Sequence, residues 1–368
     1  MKIIMASFGG DDNPRTCKVV ESLSSDGHEV IFVGWERDPN RERRGSISTN
    51  KSYLYKGKWK DSRSSVRELI KYYYYLLCII KENKPDVLHC VNEEVAILML
   101  PFKYILYKKL VLDIYDGLSD RAILSNILLK TALLYLCKAT YMFSNIIFVC
   151  DKRRHLRMGR YKYKTVILEN TPLDPGANLS KNFPNGDVTI SIVGNMTKRR
   201  GAEVVMCALR KTQNIRFVVA GYLDDYSKER FLDNSRIEYL GVVSPEKSLE
   251  IIASSDAAFA FYEPDTENHI YASPSKLFDC LSVGRPIIVN SEIKVSEWVR
   301  KNSLGYDSPY YDCVALSKVF ELLKVERYNI ELRSKRLRSM FIDGYSWNTM
   351  SDRLLSAYSN FDRNKIGG

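Results

Sequence analysis

The sequence lacks several patterns that would decide its function at once. Its eight cysteines include no Cys-x-x-Cys pair or other metal-binding spacing, and its four histidines are scattered. Most of the cysteines lie in apolar runs, so we interpret them as reduced thiols of a cytoplasmic protein. The most apolar stretch, Ile123–Phe143, is interrupted by Lys130 and Lys138, whereas a membrane-spanning helix needs about 20 nearly uncharged residues. The sequence therefore predicts neither a metal site nor a transmembrane segment.

Two signatures of nucleotide-binding enzymes are also missing. No G-x-G-x-x-G follows a predicted strand, so the sequence does not indicate a dinucleotide-binding domain. No Asp-x-Asp is placed to hold a divalent ion, and the adjacent pairs Asp11-Asp12 and Asp224-Asp225 lie in polar loops. We therefore expect the protein to work without a bound metal or other cofactor.

What the sequence does contain is an ordinary globular composition with an uneven charge. The 368 residues are 45% hydrophobic and 27% charged, and a prior of about 150 residues per domain predicts two domains. The net charge is +11, of which residues 1–171 carry +10 (29 basic and 19 acidic residues) and residues 172–368 carry +1. The first half is thus expected to meet an anionic partner, which would be a membrane surface, nucleic acid or a phosphorylated substrate.

Short apolar runs alternate with amphipathic stretches along the chain, which is typical of parallel sheets covered by helices. The pattern predicts strands at Ile3–Ser7, Val30–Val33, Val87–Cys90, Leu110–Ile114, Ile146–Cys150, Thr189–Val193, Arg216–Ala220, Ile237–Leu240, Ala257–Tyr262 and Pro286–Val289. It predicts helices that include Arg15–Ser25, Ala202–Lys211, Pro245–Ser254, Ser275–Val283 and Asp312–Leu323. The proline-rich segment Asn170–Gly186 predicts a linker, and the polar segment Glu36–Asp61 predicts a long irregular loop.

Three loops follow predicted strands at the edge where open α/β sheets bind ligands. In the first, Gly9 and Gly10 would let a ligand approach the backbone, although a plain tight turn would use them equally well. In the second, the three cations Lys198–Arg200 precede a helix, whose positive N-terminal end disfavours cations. A bound phosphate would remove that conflict, and the alternative is a solvated basic loop.

The third loop leads into the helix predicted at Ser275. Ser273 is expected to cap this helix with Pro274 at its first position, so that the amides of Ser275 and Lys276 face the edge of the sheet. Asp279 follows one turn later, beside Lys276. These residues predict a ligand site, and the alternative is an ion pair on a surface helix, which contributes roughly a few tenths of a kcal/mol.

These loops, with other segments along the whole chain, resemble those of group 1, or family 4, glycosyltransferases of bacterial surface-polysaccharide synthesis. The matching segments are Gly9-Gly10, PDVLH at 85–89, GNMTKRRG at 194–201, ASPSKLFDCLSVGRPIIV at 272–289 and SWNTMSDRLLSAY at 346–358. The resemblance implies an α/β protein of GT-B fold, with two Rossmann-like, doubly wound domains and a cleft between them. It implies an acceptor domain at 1–171, with a returning helix at about 347–368, and a nucleotide-sugar domain at 172–346.

The resemblance also implies a retaining hexosyltransferase that moves a sugar from a nucleotide diphosphate, expected to be a UDP-sugar, to a glycan or polyprenyl-diphosphate-linked acceptor. By position, Arg200 corresponds to the family's diphosphate-binding cation. Ser275 and Lys276 correspond to residues whose amides meet the diphosphate, and Asp279 to the acid that holds the ribose hydroxyls. The Gly9-Gly10 loop corresponds to the glycine loop that closes over the phosphates.

The chain departs from the family in the same loops. Asn195, within the diphosphate-binding loop, stands where relatives often have a second cation. The family's paired acids lie eight positions apart, but Tyr271 occupies the place eight residues before Asp279. Glu263, Glu267 or Asn268 would then have to replace the missing acid, and the sequence leaves all three open.

Catalytic side chains are less evident. Many relatives carry His-x-His after the third main strand, whereas His89 stands alone and is expected to have a structural role. The acids nearest the expected acceptor side are Glu93 and Asp116, our catalytic candidates, although Asp116 before a glycine also suits a turn. In this family's retaining mechanism the leaving phosphate can itself take the acceptor's proton, so a protein nucleophile is not required.

The basic first half suits a membrane-linked acceptor. Ile123–Phe143 is apolar with its lysines on one stripe, tyrosines 72–75 precede an apolar run, and seven cations lie within 152–164. Basic residues beside apolar, tyrosine-rich helices are typical of proteins bound to an anionic leaflet. We therefore expect a cytoplasmic protein held peripherally on the inner face of the cell membrane. The alternative is that these helices only cover the sheet.

Two other functions stay open at this point. A nucleotide-sugar 2-epimerase shares the two-domain layout and would use acids and histidines around one donor sugar. A nucleic-acid-binding protein is indicated by the basic stretch 152–164. No helix-turn-helix, zinc or aromatic RNA-binding signature accompanies that stretch, so we expect no nucleic-acid partner.

Overall fold

The structure is a computed structural model that describes residues 1–36, 47, 51–57, 62–118, 127–176, 179 and 186–363, apart from the side chains of residues 62–65, 330, 362 and 363. It divides into two compact units. Unit 1 comprises Met1–Glu169 and the chain from Met350 onwards, and unit 2 comprises Asn170–Thr349. Parts of the predicted loop at 36–61, of the apolar stretch at 123–143 and of the linker at 170–186 lie outside the described residues.

Unit 1 contains a seven-stranded parallel sheet. Its strands are β1 (Lys2–Ala6), β2 (Glu29–Glu36), β3 (Ser52–Lys56), β4 (Val87–Val91), β5 (Lys109–Ile114), β6 (Ile146–Val149) and β7 (Thr165–Ile167), in the order β3-β2-β1-β4-β5-β6-β7. Its helices include α1 (Pro14–Ser25), α2 (Ser62–Asn83), α3 (Asn92–Met99), α4 (Ile127–Phe143) and α5 (Lys152–Arg157). The central strand β4 is buried throughout, because helices cover both faces of a parallel sheet.

Unit 2 contains a six-stranded parallel sheet. Its strands are β8 (Val188–Val193), β9 (Ile215–Ala220), β10 (Ile237–Tyr239), β11 (Ala257–Ala260), β12 (Ile287–Asn290) and β13 (Gly305–Ser308), in the order β10-β9-β8-β11-β12-β13. Its helices include α6 (Ala202–Arg210), α7 (Asp225–Phe231), α8 (Pro245–Ala253), α9 (Glu267–Ile270), α10 (Ser275–Ser282), α11 (Val295–Lys301), α12 (Cys313–Glu326) and α13 (Ile330–Met340). The last helix, α14 (Trp347–Arg363), belongs to unit 1 from Met350 onwards. The prediction of two parallel α/β sheets is confirmed.

The strand order of unit 2 reverses between β8 and β11, which are neighbours in the sheet although β9 and β10 separate them in the chain. The connections from these two strands leave in opposite directions across the sheet. This opens a crevice at the carboxyl ends of the strands, where open α/β sheets bind ligands. The predicted loops after β8 and β11 therefore belong to the same edge.

The sequence pattern misses three short strands at the sheet edges. β3 lies inside Glu36–Asp61, so the prediction of an irregular loop is wrong for residues 52–56. β7 has only three residues, and β13 reads Gly-Tyr-Asp-Ser. Edge strands of this kind are short and mix polar with apolar residues, so they lack the apolar run that identifies a buried strand.

Two of the eight cysteines are bonded to each other. Cys207 on α6 and Cys313 at the start of α12 form a disulfide, so the prediction that every thiol is reduced is wrong for this pair. Packing of α6 against α12 brings together two residues that lie 106 positions apart, and no local spacing reveals such a pairing. The other six cysteines take part in no disulfide.

A buried polar chain ties α1, β4, β5 and α14 together in unit 1. Arg15 and Asp113 form a nearly inaccessible ion pair (Nη2 to Oδ1, 2.5 Å), and Arg15 also donates to the carbonyl of Leu168 at 2.8 Å. His89 Nδ1 lies 2.7 Å from the hydroxyl of Tyr358 on α14. His89 is completely buried, so it belongs to the core that holds α14 on unit 1.

Among the described helices, none combines the length and the apolar character needed to cross a membrane.

Candidate functional site

The loops after β8 and β9 meet at the carboxyl edge of the unit 2 sheet, where two glycines allow a close approach. Gly194 and Gly221 have φ values of 120° and 136°, a region that is open mainly to glycine. A Cβ on Gly221 would lie 2.0 Å from the carbonyl oxygen of Gly194, so a side chain there would push the loops apart. Asn195 follows Gly194 and is exposed.

The first two cations of the β8 loop have partners of their own. Lys198 Nζ lies 5.4 Å from the centroid of the Tyr226 ring. Arg199 forms ion pairs with Glu263 (Nε to Oε2, 3.1 Å) and with Asp265. Both acids follow β11, so Arg199 ties two loops together and its charge is largely compensated.

Arg200 is in a different environment. Its guanidinium lies over the ring of Tyr262, 3.8 Å from the centroid, and it forms no ion pair with any residue that the structure describes. Stacking uses the face of the guanidinium and leaves its in-plane N–H donors available. Tyr262 is itself held by its backbone N–H, which donates to Asn290 Oδ1 at 2.9 Å. Arg200 is therefore a positioned cation with donors to spare.

Helix α10 brings a second cation to the same edge. Lys276 donates from Nζ to Asp279 Oδ2 at 2.7 Å, and the side chains are 25% and 13% exposed. Burial opposes the charge of Lys276, but the nearby carboxylate of Asp279 outweighs burial and raises the pKa of Lys276. A Cβ on Gly194 would lie 3.9 Å from Lys276 Cε. Lys276 is therefore a charged group that reaches the β8 loop.

The N-terminus of α10 has no side-chain cap. The helix begins at Ser275, with Pro274 in the capping position, so the predicted cap by Ser273 is wrong. Proline holds the extended backbone before the first turn by its ring rather than by a hydrogen bond. In the described part of the chain, nothing accepts a hydrogen bond from the amides of Ser275 and Lys276. Such amides, at the positive end of a helix, favour an anion.

His269 on α9 lies beside these groups and was not among the predicted site residues. Its Nδ1 is 2.8 Å from the carbonyl oxygen of Glu263 and 3.0 Å from Asp265 Oδ1. Its ring centroid is 6.0 Å from that of Tyr262. Burial, and then the charges of Arg200 and its neighbour, lower the pKa of His269. The one sequence signal for His269 and Tyr262 is their place between a central strand and the α10 helix.

The residues proposed to replace the family's missing carboxylate lie in two places, the loop after β11 and the first turn of α9. Glu263 is engaged by Arg199 and, through Oε1, by the hydroxyl of Tyr311 at 3.2 Å. Glu267 and Asn268 lie in the first turn of α9. Among the described residues, no group of three or more His, Cys, Asp or Glu side chains is arranged to hold a metal ion.

Gly9 and Gly10 lie in the loop after β1 in unit 1. The Gly9 carbonyl accepts from the N–H of Trp35 at 3.1 Å, and the Gly9 N–H donates to Ser7 Oγ at 2.9 Å. A Cβ on Gly34 would lie 2.6 Å from the Gly9 carbonyl oxygen, so β2 comes this close because residue 34 is glycine. Neither Gly9 nor Gly10 has a positive φ. What they contribute is a partly exposed backbone without side chains.

Both predicted catalytic acids meet at one loop of unit 1. Glu93 is completely buried at the start of α3 and accepts hydrogen bonds from the Leu118 amide (3.1 Å) and the Tyr141 hydroxyl (2.8 Å). Burial raises the pKa of Glu93. Asp116 lies in the same loop, 55% exposed and 3.6 Å from Arg154. Glu93 therefore supports the loop from inside, and Asp116 is the acid that faces solvent.

Comparison with known proteins finds similar structures but no matching family or curated sequence. No protein-family profile matches the sequence, and no curated protein matches it. Sucrose-phosphate synthase from Thermosynechococcus elongatus is similar with a TM-score of 0.78 at 13% identity, covering 99% of this chain and 100% of that chain. Anabaena HepE, solved in complex with UDP and glucose, gives 0.73 at 12% identity, covering 98% and 100%.

A Listeria monocytogenes protein described as a UDP-N-acetylglucosamine 2-epimerase gives a TM-score of 0.63 at 12% identity, covering 98% of this chain and 97% of that chain. At such low identities, likeness establishes architecture and leaves activity open. The strand orders of the two sheets and the extent of these matches agree with the fold that the resemblance implied. The chain is an α/β protein of GT-B fold, built from two Rossmann-like units.

Proposed function

We propose that the protein is a glycosyltransferase that takes its sugar from a nucleotide diphosphate, and that this donor is a UDP-sugar. The proposal rests on one observation, the gathering of Arg200, Lys276 and the uncapped amides of α10 at one edge of unit 2. A diphosphate offers several oxygens to two cations and a helix N-terminus at once. HepE, which shares the fold, was solved with UDP and glucose, which favours a uridine nucleotide.

Each donor-binding residue then has a chemical role. Negative charge grows on the diphosphate as the glycosidic bond breaks, and preorganised donors stabilise it. Arg200 presents parallel N–H groups to two phosphate oxygens, and the amides of Ser275 and Lys276 bind others. Asp279 gives one oxygen to Lys276 and keeps Oδ1 to accept a ribose hydroxyl. Asn195, exposed beside Gly194, adds a neutral amide donor.

The same groups support transfer without a metal and with retention at the anomeric carbon. Two cations and a helix terminus supply the positive charge that a divalent ion would otherwise bring to the leaving group. The departing phosphate, held at this edge, takes the proton of the acceptor hydroxyl on the face it has just left. No covalent glycosyl-enzyme is then required.

We assign the acceptor to unit 1. Asp116 is the exposed acid of its loop, and we propose that it orients the acceptor hydroxyl, with Glu93 positioning the loop. We also propose that the partly exposed Gly9-Gly10 backbone binds phosphate oxygens. The acceptor is a glycan, or a glycan on a polyprenyl diphosphate, in the synthesis of a surface polysaccharide.

Unit 1 also carries a surface that suits an anionic membrane. We call it the basic-aromatic surface. Its exposed apolar and aromatic residues are Tyr104, Ile105, Met142, Phe143 and Tyr163. Lys103 donates to the carbonyl of Phe143, and Lys164 donates to those of Met142 and Ser144, so two ammonium groups lie at the end of α4 beside these residues. Burial, reinforced by Lys103, lowers the pKa of Lys164. Apolar and aromatic groups beside cations favour an anionic leaflet, so we propose peripheral binding on the inner face of the cell membrane.

Product analysis tests the proposed reaction against the 2-epimerase alternative, which the likeness to the Listeria structure suggests. The protein is incubated with UDP-glucose, UDP-galactose or UDP-N-acetylglucosamine, with and without a polyprenyl-diphosphate glycan extract. A transferase releases UDP and transfers the sugar only when the acceptor is present. Conversion of a donor to its C2 epimer without acceptor would establish the alternative instead.

A further inference from the structure

We propose that His269 binds the donor's sugar: its Nε2 accepts a hydrogen bond from a sugar hydroxyl, so that the site distinguishes a nucleotide sugar from the bare nucleotide. This inference rests on the proposed function. It concerns a side chain to which neither the sequence motifs nor the comparisons give a role.

The tautomer of His269 follows from its neighbours. A carbonyl oxygen can only accept, so Nδ1, 2.8 Å from the Glu263 carbonyl oxygen, must carry the ring proton. The carboxylate of Asp265, 3.0 Å from the same nitrogen, also accepts. In a neutral imidazole the other nitrogen is then an acceptor. Nε2 therefore has a lone pair and no proton.

The surroundings keep the ring neutral. The charged groups that face it are Arg199, Arg200, Glu263 and Asp265, and Arg199 pairs with both acids. The side chain is only 15% exposed, and burial together with the arginines opposes a second proton. His269 is thus an acceptor at neutral pH.

The ring of His269 is close to the proposed diphosphate site. The rings of Tyr262 and His269 form a T-shaped contact with centroids 6.0 Å apart, and Arg200 lies over the face of Tyr262 at 3.8 Å. Nε2 forms no hydrogen bond with any described residue. A sugar next to the diphosphate offers hydroxyl donors, whereas UDP ends in phosphate oxygens that only accept. Nε2 can therefore accept a hydrogen bond from the sugar, whereas the terminal phosphate of UDP offers it no donor.

Two variants separate sugar binding from loop support. His269→Asn keeps an N–H donor near the position of Nδ1, for the Glu263 carbonyl, but has nothing at the position of Nε2. His269→Gln extends further and places an amide oxygen near Nε2. His155→Asn, at a histidine of unit 1, is the matched control.

The test is calorimetry on the full chain at pH 7.5 with UDP, UDP-glucose, UDP-galactose and UDP-N-acetylglucosamine. His269→Asn should weaken the best-bound UDP-sugar by about 2- to 12-fold, the net value of one neutral hydrogen bond, with UDP unchanged within about twofold. His269→Gln should recover part of the loss. Below the pKa of His269, the wild type should lose UDP-sugar affinity relative to UDP, because protonation removes the lone pair, and His269→Asn should not.

Different results would contradict this inference and the proposed function. Equal weakening of UDP and UDP-sugar by His269→Asn, or no weakening of either, would overturn the inference and leave the nucleotide site standing. So would a wild type that binds UDP but none of the three UDP-sugars. Failure of the wild type to bind UDP and all three UDP-sugars would overturn the proposed function, and this inference with it.

Discussion

At the residue scale, the turn at 198–200 shows that neighbouring cations in one motif have unequal roles. Arg199 is compensated by Glu263 and Asp265, whereas Arg200 stacks on Tyr262 and keeps its N–H donors. The difference depends on residues more than sixty positions away, after β11. Within this turn, the proposed diphosphate contact therefore falls to Arg200, and Arg199 holds the loop in place.

Replacing Arg200 should consequently damage turnover more than replacing its neighbour. A charge-assisted hydrogen bond is worth about 1.5–3 kcal/mol, so Arg200→Ala should lower kcat/KM for the UDP-sugar by roughly 10- to 150-fold. Arg200→Lys should recover only part, because an ammonium cannot bind two oxygens in parallel. Lys198→Ala is the control and should cost less than about threefold. A fully active Arg200→Ala beside an inactive Lys198→Ala would show that the cations are assigned in the wrong order.

For Glu93, the prediction concerns how the stability of the protein depends on pH rather than the rate of the reaction. Burial raises its pKa in the folded state, so its contribution to stability is present at low pH and is lost as pH rises through that folded pKa. Gln can keep the acceptor for the Leu118 amide and cannot ionise. The melting temperature of Glu93→Gln, relative to wild type, should therefore be higher at pH 8 than at pH 5, and Glu93→Ala should be destabilised at both. A Gln variant whose difference from wild type does not change with pH would contradict the buried assignment.

The sequence predicted those residues of the candidate site whose proposed roles depend on local pattern. Arg200, Lys276 and Asp279 lie in the predicted loop and helix, because glycine positions and helix starts are encoded within a few residues. Tyr262 and His269 were missed because their importance comes from what packs beside them. The wrong cap at Ser273 has the same origin, since Pro274 alone fixes the start of α10.

At the element scale, the central strands were predictable and the edges were not. β8 and β9 differ from their predicted spans by one residue at the start, because buried parallel strands are continuous apolar runs. β3 and β13 mix polar and apolar residues, so the sequence pattern did not predict them. The sequence also does not show which helices pack against each other. The disulfide between α6 and α12 could therefore not be predicted.

That bond makes unit 2 sensitive to reductant. A disulfide typically adds about 2–4 kcal/mol to the free energy of unfolding, and longer closed loops give the larger values. Denaturant unfolding of the wild type should shift by this amount when dithiothreitol is added, and the Cys207→Ser, Cys313→Ser double variant should not respond. Cys78→Ser, at an exposed free thiol, should respond like wild type. Titration of eight reactive thiols in the unfolded, unreduced protein would contradict the bond.

The basic-aromatic surface is testable by vesicle sedimentation. Vesicles with anionic lipid should bind the protein more than neutral vesicles, and salt should release it, because the Debye length falls from about 10 Å at 0.1 M to about 3 Å at 1 M. The double variant Tyr104→Ser, Tyr163→Ser should bind several-fold less. Tyr328→Ser, at a still more exposed tyrosine of unit 2, should bind normally. Equal binding to neutral and anionic vesicles would count against an electrostatic contribution.

At the scale of the whole molecule, the repeated strand–helix pattern was enough to predict two parallel sheets. Its regularity reflects one physical rule, that a sheet covered on both faces needs apolar strands separated by amphipathic helices. The reaction is not encoded in that rule, because one fold serves many chemistries. The proposed function depends instead on the few groups at the carboxyl edge of unit 2.

The most direct measurement of the central claim is calorimetric titration of the full chain with UDP in the presence of EDTA. The edge formed by Arg200, Lys276 and the α10 amides should bind UDP without a divalent ion, and Arg200→Ala should weaken that binding by at least about tenfold while Lys198→Ala leaves it within about threefold. Absence of UDP binding to the wild type, binding that requires added Mg²⁺ or Mn²⁺, or equal affinity in the wild type and Arg200→Ala would contradict the account.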